Sequence, residues 1–218
     1  MSGRLVIPCS LSDIPNGMSD HIDTFTTSRL VLRPFELTDA PAVQRLAGAP
    51  EVADTTLLIP HPYPDGVAEQ FITGTHTERE KGENYVFAIT LRATGELCGS
   101  MGLKVTKQHE RGELGYWIGV PFWKHGYCTE AGRTVIRFAF EALRLNAVNA
   151  HHFVRNPVSG RVLQKLGMHF EGRLRQHVKK GDRFEDLDAY SILRVDWIST
   201  SPGSLFLADT QRIEKLGA

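Results

Sequence analysis

The stretch that decides the fold is GELGYWIGVPFWKHGYCTEA, residues 112–131. In its first half, Leu114, Tyr116 and Ile118 alternate with Glu113, Gly115 and Trp117, which predicts a strand. A short glycine-containing loop follows, and apolar residues at helical spacing then predict a helix over residues 129–143. A helix that begins in such a loop presents unpaired N–H groups and the positive end of its dipole, which together form an anion site suited to phosphate. Lys124 and His125 add side-chain charge there, and Gly126 leaves room for a ligand beside the backbone. The same spacing also fits a turn that binds nothing.

Outward from this stretch, the sequence predicts a mixed α/β architecture. On the N-terminal side, strands are predicted at residues 30–34, 85–91 and 97–107, and helices at residues 38–47 and 67–80. On the C-terminal side, strands are predicted at residues 147–154, 170–178 and 184–193, and a helix at residues 156–166. Thr38 and Asn156 are the expected N-caps of two of these helices. The order is not a regular alternation of strand and helix.

The length of 218 residues predicts one domain with terminal extensions. Residues 1–27 have no sustained period and are interpreted as an N-terminal extension. Residues 28–198 form the predicted domain, and residues 199–218 form a C-terminal tail. The apolar residues of the tail would suit a homodimer contact, and they are Leu205, Leu207, Ile213 and Leu216.

The composition excludes several classes of protein. Lys and Arg together number 25, as do Asp and Glu, so no net charge attracts the chain to nucleic acid or to a membrane surface, and neither is predicted as a partner. No apolar run approaches the roughly 20 residues that span a bilayer, and the N-terminal apolar stretch is too short for a signal-peptide core. Three cysteines without a C-x-x-C pair predict no disulfide framework. We therefore expect a cytoplasmic protein.

Several familiar catalytic motifs are missing from the sequence, namely H-E-x-x-H, the P-loop, G-x-G-x-x-G and G-x-S-x-G. A metal-dependent hydrolase built on His151, His152 and His169 has no recognised ligand spacing behind it. Adjacent residues of a strand also point to opposite faces of the sheet and cannot bind the same metal ion. The sequence therefore predicts no metal.

Two segments resemble a known family. Residues 112–174, which run from GELGYWIGVPFWKHGYCTEA through NPVSGRVLQKLG to EGRL, resemble the acetyl-CoA-binding half of the GNAT acyltransferases, in particular the branch of the RimJ and RimL protein N-acetyltransferases. TSRLVLRPFELTDAPAV, residues 27–43, is similar to the first strand and helix of that branch, although more weakly. The resemblance covers roughly residues 27–197.

The resemblance implies a GNAT-like α/β fold, in which a central, mostly antiparallel mixed sheet of six to seven strands carries helices on both faces. The fourth and fifth strands of such a sheet splay apart to admit the pantetheine arm of acetyl-CoA. The pyrophosphate then binds the loop at residues 123–128 and the start of the next helix. Gly126 matches the loop pattern of the family, whereas Trp123 and Cys128 depart from it. The cofactor-binding residues implied in this way are Ile118, Gly119, Val120, Trp123, Lys124, His125, Gly126, Tyr127, Cys128, Thr129, Asn156, Ser159 and Arg161.

Two residues are candidates for the acid and base of acyl transfer. A base is useful because an amine attacks only in its neutral form, whereas lysine and N-terminal amines have pKa values near 10.4 and 8. Glu113 is the candidate base, directly or through a water, and the alternative is a carboxylate that only solubilises the strand. Ser159 is the candidate proton donor to the leaving thiolate, and the alternative is a residue that satisfies backbone groups of its helix.

The expected function is therefore an N-acetyltransferase that moves the acetyl group of acetyl-CoA to a primary amine, either a protein N-terminus or a small molecule, by direct attack in a ternary complex. The alternative is a non-catalytic acyl-CoA-binding module of the same fold. The loop IPHPYPDG, residues 59–66, and the acidic residues of the last strands are candidates for contact with the acceptor. The sequence does not identify that acceptor.

Overall fold

The structure is a computed structural model that describes residues 24–200. The predicted extension up to residue 23 and the tail from residue 201, with its four apolar residues, lie outside the described residues. The chain forms two compact units. Within the described part, the first unit comprises residues 24–105 and 114–135, and the second comprises residues 106–113 and 136–200.

In the first unit, antiparallel strands carry three helices and the start of a fourth. The strands follow the order β1 (Phe25–Thr26), β2 (Leu30–Arg33), β3 (Asn84–Leu91), β4 (Leu97–Thr106) and residues 114–118 of β5 (Arg111–Ile118), and β1 to β4 pair antiparallel. The helices are α1 (Ala40–Ala47), α2 (Pro50–Asp54), α3 (Val67–Glu80) and the first nine residues of α4 (Tyr127–Glu141). Buried apolar residues that include Phe35, Val43, Leu46, Ile72 and Ala88 form the core of this unit.

In the second unit, residues 111–113 of β5 pair in parallel with β6 (Ala147–Phe153). The order continues with β8 (Arg183–Leu193) and then β7 (His169–Lys180), both in antiparallel pairings. The helices are residues 136–141 of α4, α5 (Pro157–Lys165) and α6 (Arg194–Thr200). The parallel ladder of β5 and β6 has three residue pairs, whereas the ladder of β6 and β8 has seven.

The predicted fold class is confirmed as a mixed α/β fold with a mostly antiparallel sheet. The described residues contain eight strands rather than six or seven. The additional strand is β1, which lies inside the segment predicted to be an extension. It has two residues, too few to show a period in the sequence, and it forms because Phe25 and Thr26 pair with Leu32 and Val31.

The predicted helix at residues 67–80 is confirmed with the same bounds, but the predicted cap at Thr38 is wrong. A 3₁₀ turn, Leu37–Asp39, precedes α1, and the Asp39 carboxylate accepts the Glu36 N–H at 2.8 Å. The same carboxylate binds the Arg33 guanidinium through two hydrogen bonds of 2.7 and 2.8 Å. This ion pair explains why a buried aspartate occupies the start of the helix. Within residues 24–200, no helix is both long and apolar enough to cross a membrane.

Gly99 sets how closely β4 approaches β5. A Cβ atom at this position would lie 2.4 Å from the Trp117 carbonyl oxygen and 2.7 Å from Cδ1 of Ile118. Because the nearer atom belongs to the backbone of a strand, Gly99→Ala is expected to lower the free energy of unfolding by about 1–3 kcal/mol. The midpoint of urea denaturation measures this change.

Gly74→Ala is the matched control for Gly99→Ala. Gly74 lies inside α3, and nothing within 4 Å would meet its added Cβ atom. This variant should therefore raise the free energy of unfolding by about 0.5–1 kcal/mol. A Gly99→Ala protein as stable as the Gly74→Ala protein would contradict the packing described above.

Candidate functional site

The loop between β5 and α4, residues 119–126, is held by its own hydrogen bonds. Trp123 donates its indole N–H to the Ile118 carbonyl at 2.6 Å, and Nδ1 of His125 donates to the Trp123 carbonyl at 2.8 Å. Lys124 and Gly126 have left-handed backbones, with φ of 65° and 79°. Left-handed residues inside a turn direct successive N–H groups into one concavity, which is the geometry that binds anions.

The carboxylate of Glu130, in the first turn of α4, binds the turn between β1 and β2. It accepts hydrogen bonds from the Thr27 hydroxyl at 2.6 Å, from the Ser28 hydroxyl at 3.0 Å and from the Arg29 N–H at 3.0 Å. The Arg29 guanidinium binds the other carboxylate oxygen at 2.7 Å. We call these four residues the Glu130 clamp. No sequence pattern predicts this clamp, although its three donor residues lie at the start of TSRLVLRPFELTDAPAV, the segment at residues 27–43 that resembles the family.

Arg29 joins the Glu130 clamp to the loop. Its Nη1 donates to the His125 carbonyl at 2.9 Å, and its guanidinium carbon lies 4.9 Å from the centre of the Tyr127 ring. The rings of His125 and Tyr127 are stacked with their centres 5.4 Å apart. The clamp therefore determines the conformation of the loop immediately before α4 begins.

The charge state of Glu130 follows from these contacts. Burial alone would raise the pKa of Glu130, but the hydrogen bonds from Thr27, Arg29 and Ser28 outweigh burial and lower that pKa below its usual value. Glu130 is therefore a carboxylate at neutral pH, and the Arg29 guanidinium balances its charge. Because its charge is balanced, it does not repel an anion at the start of α4.

The start of α4 fits a phosphate group. The N–H groups of Tyr127, Cys128 and Thr129 lie in the first turn, where an α-helix supplies no acceptor for them. Lys124 and His125 are exposed beside them and can add positive charge. Burial raises the pKa of Cys128 above its usual value and raises that of Cys98 to about 12. Cys128 is therefore a neutral thiol and a poor nucleophile.

The end of β5 limits which backbone N–H could stabilise an oxyanion. Ile118, Gly119 and Val120 are among the cofactor-binding residues that the resemblance implies, and an N–H in this segment could donate to the oxyanion of acyl transfer. The Gly119 N–H already donates to the Cys98 carbonyl on β4 at 2.9 Å. Gly119 is therefore unsuited to this role, and Ile118 and Val120 remain as candidates.

In the second unit, Glu113 lies beside a histidine that the sequence analysis had considered only as a metal ligand. Oε1 of Glu113 is 3.2 Å from Nδ1 of His151. Glu113 pairs with Asn149 in the last residue pair of the parallel ladder, and His151 follows two residues later on the same face of β6. The sequence could not show this contact because the register of the ladder determines it. Among residues 24–200, no group of three or more His, Cys, Asp or Glu residues is arranged to hold a metal ion.

Asn156 and Ser159 lie at the start of α5, as expected. The Asn156 side chain caps the helix by accepting the Ser159 N–H at 3.4 Å, so its capping role is observed. Arg161 is exposed on α5 and lines a cleft of about 330 Å³. The other residues lining this cleft are His152, Val154, Pro157, Gly160, Gln164, Arg173, Asp188 and Tyr190.

The residues considered for acceptor contact already have partners. In the loop at residues 59–66, His61 donates to the Gly48 carbonyl at 3.0 Å and Asp65 accepts from Gln44 of α1 at 2.8 Å. On β8, Glu185 binds Arg155 at 2.9 Å and Arg183 at 2.6 Å, while Asp188 binds Arg173 at 2.8 Å. These contacts stabilise the loop and the sheet, and they leave the residues less suited to binding a cationic acceptor.

Comparison with known proteins identifies the class. A family model described as an acetyltransferase (GNAT) domain matches residues 29–169, more than half of the chain. N-acetyltransferase p20 of Bacillus licheniformis, itself described as uncharacterized, is 30% identical over 178 residues, which cover 81% of this chain and 99% of p20. The L-amino acid N-acetyltransferase AaaT of Escherichia coli is 24% identical over 171 residues, covering 77% of this chain and 99% of AaaT.

A solved structure shares the fold. RimL, an alpha-N-protein acetyltransferase of a ribosomal protein in complex with coenzyme A, has a TM-score of 0.72 at 14% identity, over 78% of this chain and 98% of RimL. Taken together, the matches show that the chain belongs to the GNAT acetyltransferase family. It is an acyltransferase, and acetyl-CoA is its co-substrate.

The Glu130 clamp predicts a pH-dependent stability. Glu130→Gln should lower the free energy of unfolding at pH 7 by about 1.5–3 kcal/mol, because it removes a charged acceptor from several donors. A carboxylate with a lowered pKa in the folded state stabilises the fold above its unfolded pKa, and this effect is lost as pH falls through the folded pKa. The stabilities of the two proteins should therefore converge below a pH of about 4.3. Urea denaturation between pH 3 and pH 7 tests this.

Glu141→Gln, at the other end of α4, is the control. Burial raises the pKa of Glu141, so its charge does not stabilise the fold, and the variant should be at least as stable as the wild type at pH 7. A stability difference between wild type and Glu130→Gln that persists unchanged at pH 3 would show that the clamp does not depend on charge.

Proposed function

We propose that this chain transfers the acetyl group of acetyl-CoA to a primary amine by direct attack in a ternary complex. The amine belongs to a protein N-terminus or to a small molecule. The observation that carries this proposal is the anion-binding geometry at the start of α4, where left-handed residues, helical N–H groups and the Glu130 clamp occur together. A turn that bound nothing would not need to be fixed by a charged contact between residues 101 positions apart in the chain.

The proposed acetyl-CoA site consists of residues that the sequence predicts to bind the cofactor. The N–H groups of Tyr127, Cys128 and Thr129 would bind the pyrophosphate of acetyl-CoA, with Lys124 and His125 as additional donors. Gly126 would allow the phosphate to approach the backbone. Near the thioester, the proposed residues are Ile118, Val120, Asn156 and Ser159. Trp123 would keep the loop in shape through its hydrogen bond to Ile118, and Arg161 would meet a phosphate of coenzyme A.

The chemistry follows from what an amine needs in order to attack a thioester. Glu113 provides the carboxylate of the base, because the ammonium form has no lone pair for attack. The N–H of Ile118 or Val120 donates to the oxygen of the thioester carbonyl as negative charge develops there. A C–N bond forms and the C–S bond breaks. The Ser159 hydroxyl gives a proton to the departing thiolate and regains one from water, although the thiolate, with a pKa near 8.5, can also leave unaided. The attacking nitrogen loses its remaining extra proton to the base, and the amide results.

The acceptor is proposed only by class. AaaT is named as an L-amino acid N-acetyltransferase and RimL as an alpha-N-protein acetyltransferase of a ribosomal protein, and both kinds of acceptor are primary amines. A panel of amino acids, peptides with free N-termini and polyamines would identify the acceptor from the release of coenzyme A thiol. Binding of acetyl-CoA without turnover on any of these amines would favour the non-catalytic module.

Gly126→Ala is expected to weaken acetyl-CoA binding about 5- to 30-fold. Gly126 has φ of 79°, which costs a residue with a Cβ atom about 1–2 kcal/mol, so the loop would relax away from the conformation that binds phosphate. Isothermal titration calorimetry measures the dissociation constant. In a thermal unfolding assay, acetyl-CoA at about 100 times that constant should stabilise the wild type by roughly 2.7 kcal/mol.

Gly181→Ala provides the control for backbone strain. Gly181 also has positive φ, 58°, and nothing lies within 4 Å of its added Cβ atom in the turn between β7 and β8. It should carry a similar strain and leave the dissociation constant unchanged. Equal loss of binding in the two variants would mean that Gly126 acts through stability alone.

Glu113→Gln is expected to lower kcat about 10²- to 10⁴-fold, the usual contribution of a positioned base. The loss should be largest at lower pH, where more of the amine is protonated and needs a base. The dissociation constant of acetyl-CoA should stay as in the wild type, because Glu113 is not part of the loop before α4. Unchanged turnover across the pH range would remove Glu113 from the mechanism.

A further inference from the structure

We propose that Glu113 acts through His151, and that the imidazole of His151 is the group that removes the proton from the amine. This inference rests on the proposed function and makes its base more specific. In place of a carboxylate that works alone or through a water, the base is a dyad in which one residue holds the other. Glu113 is then the positioning residue.

The contact has the geometry of such a dyad. Oε1 of Glu113 lies 3.2 Å from Nδ1 of His151. Because a carboxylate only accepts hydrogen bonds, Nδ1 carries the proton in this contact and the Nε2 atom of the neutral ring keeps its lone pair. The side chain of Glu113 is 60% exposed and that of His151 is 29% exposed, so the imidazole is the more enclosed member. The structure thus selects the tautomer whose free nitrogen is basic.

The position of the dyad in the sheet also suits this role. The parallel ladder of β5 and β6 ends with the pair of Glu113 and Asn149. His151, two residues beyond Asn149, has no register partner on β5, yet its ring remains next to the Glu113 carboxylate. A contact that reaches past the end of the ladder holds both side chains where the two strands cease to pair.

Several residues surround His151 in the sheet, and Glu113 is the one whose carboxylate contacts its ring. On β8, Ala189 lies opposite His151, and Leu187 and Ser191 flank Ala189 on the same face. On β7, Glu171 accepts a hydrogen bond from Ser191. On β5, Arg111 precedes Glu113 on the same face of the strand. Glu113 is thus the acidic residue in contact with the His151 imidazole.

The proton balance of the step is simple. The Nε2 lone pair of His151 accepts one proton from the ammonium group, which leaves a neutral amine and an imidazolium. The Glu113 carboxylate stabilises this imidazolium through its hydrogen bond with Nδ1–H, as the carboxylate of a catalytic triad does. The imidazolium passes this first proton to water. After the C–N bond has formed, the nitrogen still carries one proton more than the amide product, and Nε2 accepts that second proton as the C–S bond breaks. The imidazolium then passes it to the thiolate or to water. The dyad is then ready for another cycle.

The first test is the pH dependence of kcat/KM in the wild-type protein with an accepted amine. Activity should fall on the acid side in the range typical of an imidazole and not in the range typical of a carboxylate. This measurement needs no variant. An acid limb in the carboxylate range would overturn the proposal.

The second test is His151→Asn, with Glu113→Gln in parallel. The Asn amide can still donate to Glu113 from the place of Nδ1, but it cannot accept a proton, so kcat should fall at least 100-fold and the acid limb should disappear. The thermal unfolding midpoint and the dissociation constant of acetyl-CoA should not change. His177→Asn, at an exposed position on β7, is the control and should behave as the wild type.

The outcomes separate this inference from the proposed function. If Glu113→Gln loses activity while His151→Asn keeps both kcat and the acid limb, the dyad is overturned and Glu113 remains the base. If neither variant loses activity, the base assigned in the proposed function fails together with the dyad. If the wild-type protein acetylates no amine on the panel, the proposed function itself fails.

Discussion

The carboxylate of Glu130 is the constraint on which the loop between β5 and α4 depends. Four donors from residues 27–29 converge on a single side chain in the first turn of α4. Through Arg29, the same cluster reaches the His125 carbonyl and the Tyr127 ring. A loop with two left-handed residues would otherwise relax at the expense of its anion-binding shape. The turn between β1 and β2 therefore holds the loop of the proposed cofactor site, although it lies about a hundred residues away in the chain.

The second unit has a comparable constraint in the short parallel ladder of β5 and β6. Three residue pairs hold the strands together, and the last pair brings Glu113 beside His151. The proposed base and the end of the strand pairing thus lie at one point of the sheet, where the register pairs of β5 and β6 end and a side-chain contact follows.

Sequence patterns predicted the local structure well and the contacts between distant segments poorly. The helix at residues 67–80 and the Asn156 cap were found from periodicity and capping chemistry, because both signals lie within a few residues of each other. The sequence did not predict the two-residue strand β1. It also did not predict that Asp39, bound to Arg33, stands at the start of α1 in place of a Thr38 cap. In both cases, the stabilising partner is a different segment that the periodicity of one segment does not report.

By itself, the sequence determined the family and the acetyl donor, because these depend on contiguous motifs around Gly126 and Asn156, and the same motifs predict where the phosphate loop lies. Only the tertiary structure decided which donors hold that loop, that the Gly119 N–H is already bound to β4, and that Glu113 has His151 as its neighbour. The physical reason is that strand register and the charged contacts between segments arise when the sheet forms. A one-residue change of register would leave every motif intact and still separate Glu113 from His151.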